Sequence, residues 1–263
     1  APDIQINAGV TVAKTGGTGT LTLQGHGRVN QHGTVTATAP GVLNVVLWSD
    51  FDDDNDDGGT DMAGSITTNG GHVWLGGSNS NGGSYTWNGL TVGDGPSVGN
   101  PGNNFHALDL AGNVTTNGGH FLAWAGTSWG VNGIATVPGS GNVINTGSGD
   151  ITLIANQILG QGPLAIKFQT TGVFSLVPNG GAFPSGLNWN PVLSSGNFDF
   201  SGNYNYLDIL NVANLGGLVI GRYDGMIDGT DPVVIGNTAD VTINTATSIA
   251  GPISVYGGTI TLN

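Results

Sequence analysis

The chain has no cysteine and no glutamate, and only two lysines and two arginines stand among its 263 residues. Without cysteine there is no disulfide, so the fold must hold by packing alone. Glutamate favours helices, whereas aspartate favours turns. All 17 acids are aspartate, so the sequence predicts almost no helix. The shortage of lysine and arginine leaves a net charge of −13. That excludes nucleic acid, whose phosphates need basic partners, and it excludes anionic membrane surfaces. No apolar run approaches the roughly 18 residues that cross a bilayer, so no membrane insertion is expected. No signal peptide is visible at Ala1-Pro2-Asp3. Secretion is therefore an inference from composition rather than from a targeting signal.

Glycine is what the chain has in excess, at 49 residues. High glycine with low charge signals disorder unless apolar residues recur in order. Here Val, Ile, Leu and Thr alternate in short runs, which points to many short strands joined by glycine turns.

Internal repeats decide the architecture. Residues 63–75 read AGSITTNGGHVWL, residues 111–123 read AGNVTTNGGHFLA, and residues 250–262 read AGPISVYGGTITL. The unit is a short strand, a glycine turn and a second short strand. Val241-Thr242-Ile243 and Ile260-Thr261-Leu262 are alternating triplets 19 residues apart. The expectation is an all-β chain, a single right-handed parallel β-helix over residues 1–263, with about 20 residues per coil. Val, Ile, Leu and Ala would face inward, and Thr, Ser and Asn outward. An antiparallel sandwich or barrel is the competing architecture.

Two segments break the period, at about 76–108 and 178–208, and are read as inserted loops. Insertions in repeat folds often form the binding face. Tyr85, Trp87 and Trp189 lie in them and are candidate ligand contacts, because aromatic rings stack on sugars. Trp48, Trp74, Trp124 and Trp129 sit in or beside strand runs and read as packing residues.

The densest local signal runs from Ser49 to Asp61, where seven of the 17 aspartates are crowded. Like charges this close need solvent, salt or a cation. Asp53, Asn55, Asp57 and Gly58 match the first half of a calcium loop, and Asp61 falls at its ninth position. The twelfth position is Gly64, so this is no EF-hand. Asp53, Asn55, Asp57 and Asp61 are the candidate ligands of a Ca²⁺ ion, against the alternative of a solvated acidic loop. Asp224, Asp228 and Asp231 form a weaker second candidate. His72 and His120 hold equivalent repeat positions, which favours stacking or turn roles over transition-metal binding.

No catalytic motif is present. The glycine pairs form neither a nucleophile elbow, a P-loop nor a dinucleotide fingerprint. Lys14, Arg28, Lys167 and Arg222 are too scattered in sequence to grip an acidic polysaccharide. An aspartate pair acting on a neutral glycan is the one enzymatic alternative; the leading reading is not an enzyme.

VLNVVLWSD with its aspartate-rich turn, AGSITTNGGHVWLGG, SGDITLIA and TADVTINTATSIAGPISVYGGTITLN resemble the repeats of giant bacterial surface exoproteins of the filamentous-haemagglutinin type. The resemblance covers most of the chain outside the two insertions. It implies a right-handed β-helix, export to the bacterial cell surface, and adhesion or biofilm roles; it supplies no catalytic residues. The expected function is an extracellular structural or adhesive segment, with polysaccharide binding or processing as the alternative. Expected partners are glycans or cell surfaces. No capping repeat is visible at either end, so each end is expected to continue into more of the parent chain or to stack on a second copy.

Overall fold

The computed structural model describes residues 3–54, 58–99, 106–128, 131–136, 141–160, 166–183, 187–192, 195–199, 208–243 and 247–263. The protein is all-β. One 3-10 turn, Val212–Asn214, is its helical element among the described residues.

The chain lays down three sheets, parallel in all but one strand of the second, by visiting them in rotation. Ile4–Ile6 opens the first sheet, Thr11–Lys14 the second and Thr18–Gln24 the third. Val29–Gln31, Thr34–Ala37 and Val42–Trp48 then add one strand to each, in the same order. The next rounds repeat this through Ile158–Gly160, Lys167–Thr170 and Val173–Val177. Thr11 pairs with Thr34, Ile134 with Ile158 and Ile4 with Val29. An uninterrupted circuit therefore takes 23 to 25 residues rather than the expected 20 or so. The spacing of 19 is confined to the pair Val241–Ile243 and Ile260–Leu262.

The repeated TTNGGH segment explains one corner. The Thr68 hydroxyl is buried and donates to the Gly71 carbonyl at 2.5 Å. Thr116 does the same to Gly119, and Thr146 to Gly149 at 2.6 Å. Asn69 and Asn117 adopt φ of 52° and 55°, the left-handed conformation that asparagine tolerates. A Cβ on Gly119 would collide with the Gly71 carbonyl oxygen, and one on Gly149 with that of Gly119. Backbones therefore stack here without side chains between them, which is why the second glycine of the motif recurs.

Two apolar clusters follow. The interior cluster gathers inward residues of the three sheets, among them Val29, Val35, Leu47, Phe121, Phe168 and Phe174. The second lies on the outer face of the third sheet, where Val46, Trp48, Trp74, Leu122, Trp124, Ile154 and Val177 point away from the interior. The expectation of polar outward residues fails on this face because a second layer covers it. Ser84–Trp87, Leu90–Gly93, Arg222–Asp228 and Asp231–Gly236 form a four-stranded antiparallel sheet over it. Trp87, Leu90, Val92 and Met226 close the cluster from above.

The segment 76–108 thus holds a hairpin, with Asn88 and Gly89 at its two-residue turn at φ of 47° and 77°. Within 178–208, Leu187–Val192 and Ser195–Asp199 pair antiparallel and lie within the second sheet, between Val241–Ile243 and Asp208–Leu210.

Candidate functional site

The outer face of the first sheet carries a polar row. Gln5, Asn30, Asp61 and Asp109 occupy the middle of successive strands and are register partners in that order. Strands lie about 4.8 Å apart, so the carboxylates of Asp61 and Asp109 stand side by side. His32 Nε2 lies 2.8 Å from Asp61 Oδ2. Burial pushes the Asp109 carboxyl up to about 6, and the neighbouring Asp61 charge adds to this while His106 and Arg28 oppose it. Acid–base chemistry on a glycosidic bond uses a neutral carboxylic acid and a carboxylate on either side of that bond, roughly 5 to 9.5 Å apart.

Sequence reasoning missed this pair. The signal was present: extending the repeat two residues upstream aligns Asp61-Met62-Ala63-Gly64 with Asp109-Leu110-Ala111-Gly112.

Among the described residues, the aspartate-rich corner brings Asp50, Asp52 and Asp54 together. One oxygen from each of Asp50, Asp52 and Asp54 lies within 4.8 Å of the others. Asp50 is fully buried and takes φ of 52°. Asp52 Oδ2 pairs with His26 Nδ1 at 2.8 Å, and that hydrogen bond holds its carboxyl below the ordinary value. Of the predicted ligands, Asp61 is engaged by His32 on the first sheet, and the Asp53 N–H bonds the Asp50 carbonyl at 3.2 Å. Asn55 and Asp57 lie outside the described residues. Converging carboxylates are hard oxygen ligands, suited to a calcium ion. Asp228 and Asp231, from the second candidate, face each other across the turn of their hairpin, and Asp224 pairs with Arg222 at 3.4 Å.

The aromatic candidates divide. Trp87 is 2% exposed; its indole N–H donates to the Tyr223 hydroxyl at 2.7 Å, and its ring meets His72 edge-on. A ring so enclosed packs rather than stacks on a ligand. Tyr85 is half-buried beside it, and burial raises its phenol above the ordinary value. Trp189 belongs to the strand Leu187–Val192, and its side chain lies outside the described residues. A cleft of 410 Å³ opens instead near Trp124, whose indole N–H donates to Asn179 at 2.9 Å. Asn79, Pro96, Gly180, Val234 and Ile235 help to complete its walls, and no lining residue carries a charge.

No family model matches this chain, and no curated protein or solved structure matches it.

Proposed function

We infer that the three sheets are the faces of a right-handed parallel β-helix, serving as a structural and adhesive segment of a large protein on the bacterial cell surface. The observation that carries this reading is the rotation of the chain through three largely parallel sheets with side chains stacked in register. Such a scaffold grows by repetition and needs no catalytic centre. Its sheet edges are the points of growth. Ile253, Tyr256, Ile260 and Leu262 stand exposed along the edges of the second and third sheets, Leu262 at 73%. Such exposed apolar edges are templates for pairing with a second copy of the chain. Electron microscopy and sedimentation of the purified chain test this. Rods that lengthen with concentration support it, whereas compact monomers at high concentration count against it.

A second reading, polysaccharide binding or processing, is favoured by the Asp61–Asp109 pair and by the uncharged Trp124 cleft. A glycan-cleavage screen separates the two. Turnover abolished by Asp109→Asn establishes the second reading, and its absence leaves the structural one.

A further inference from the structure

A row of polar side chains runs across the start of the third sheet, one from each of four successive circuits. Asn44, His72, His120 and Asp150 each precede an inward residue of that sheet: Val45, Val73, Phe121 and Ile151. Each side chain accepts a hydrogen bond from the backbone N–H of the next member. Asn44 Oδ1 accepts from His72 N–H at 2.9 Å, and His72 Nδ1 from His120 N–H at 3.0 Å. His120 Nδ1 accepts from Asp150 N–H at 2.9 Å, and Asp150 Oδ1 from Val173 N–H at 2.8 Å. The imidazoles of His72 and His120 stack face to face, with centroids 5.0 Å apart and planes 9° apart. The other contact of His72 is the edge of Trp87, which belongs to the covering sheet.

A backbone N–H always carries its proton, so each imidazole nitrogen that accepts one must be bare. Both rings are thereby fixed as neutral imidazoles protonated on Nε2. We propose that His72 and His120 form a proton-operated latch, which in its neutral state carries the backbone ladder and seats Trp87, and in its charged state releases both.

The two ends of the latch differ. At the His120 end, Asp150 Oδ2 lies 3.3 Å from Nδ1, so a carboxylate stands beside the nitrogen that accepts the Asp150 N–H. Among the described residues His72 faces no carboxylate; it faces His120. A proton on His72 Nδ1 removes the acceptor of His120 N–H and, with His120 charged, sets two positive rings in contact. Burial and the neighbouring His120 charge hold His72 below its ordinary value of 6.5. Among the described residues, the covering sheet brings to this seam the Tyr223 phenol, bonded to Trp87, with Asp224 acting on it from the same strand; burial keeps the phenol protonated far above neutrality.

The sign follows directly. Below 6.5 the opened chain binds the His72 proton more readily than the closed one. Closure is therefore complete at neutral pH and is lost as pH falls through that window. Asp109, held near 6 on the far sheet, has the opposite sign and does not touch this corner.

The protein supplies its own control, because Asn44 does with an amide what the histidines do with imidazole. Replacing both rings by His72→Asn and His120→Asn keeps an acceptor and removes the titration. Hydrogen exchange and Trp fluorescence of the intact chain from pH 7.5 to 5 form the test. In the parent chain, protection of the His120 and Asp150 amides should fall about tenfold per pH unit below 6.5, with a matching change in fluorescence. The double variant should show neither. An unchanged parent profile, or the same transition in the variant, overturns the latch. Nitrogen NMR of the parent's histidines gives an independent reading that needs no variant. Nε2–H tautomers at neutral pH are expected, and an Nδ1–H tautomer at His72 or His120 overturns the proposal.

Discussion

The outer faces of the first and third sheets are built from the same rotation of the chain, yet they are chemically opposite. The third presents Val46, Trp74 and Leu122 as successive register partners beneath an antiparallel cover. The first presents Asn30, Asp61 and Asp109 in the equivalent outward positions. Registers are alike, so strand pairing cannot be the cause. The cover is: the hairpin at Ser84–Gly93 and the pair Arg222–Gly236 pair with each other and pack onto the third sheet. A scaffold of this kind fixes where side chains stand, and the cover decides which face becomes core.

The comparison breaks most severely at Trp74. The ring is fully buried between the third sheet and its cover. Trp74→Ala should cost about 3–5 kcal/mol in urea unfolding, because the roof cannot collapse into the space left. A loss below about 1 kcal/mol would mean that the cover rests on the sheet without packing against it.

Asp109 should respond in the other direction. Its carboxyl titrates near 3.8 in the unfolded chain and about 6 in the fold. Between those values the folded state holds more protons, so its stability falls as pH rises through the window. Asp109→Asn removes the buried charge. The variant should therefore have a higher urea midpoint than the parent at neutral pH, with the advantage vanishing towards pH 3.8. A lower midpoint at neutral pH would show that the charge is stabilised by partners and that the acid-pair geometry is wrong.

How much of this was legible varies by region. TTNGGH named its own corner, because a buried threonine, a left-handed asparagine and a glycine pressed on backbone leave few alternatives. The equivalence of His72 and His120 was legible for the same reason, and the rings do stack. The circuit length was not. The triplets near the C-terminus gave 19, whereas the corners of earlier circuits hold extra turn residues that a strand pattern does not count. The cover was missed because its flanks read as loop; the Asn88-Gly89 turn between Trp87 and Leu90 was the overlooked hairpin signal. The acid pair was hidden by its separation, since Asp61 and Asp109 meet only once the strands are in register.

The smallest expected effect concerns the aspartate corner at the edge of the first-sheet face. The converging oxygens of Asp50, Asp52 and Asp54 offer a second ligand set beside the expected Asp53, Asn55, Asp57 and Asp61, of which Asn55 and Asp57 lie outside the described residues. Asp50 is buried, Asp52 is partly buried and Asp54 is exposed, so an ion would enter from the solvent side. His26 keeps Asp52 in its charged form, the form that binds a cation. With an affinity near 1 mM, as in extracellular calcium modules, 10 mM calcium would stabilise the fold by roughly 1.4 kcal/mol. For a chain of this size that is a few degrees in Tm. Calorimetric titration of chelator-treated protein should show heat of binding that Asp52→Asn with Asp54→Asn abolishes and Asp53→Asn leaves. Binding lost with Asp53→Asn would favour the expected ligand set. No heat and no change in Tm with the parent chain would leave a solvated acidic corner.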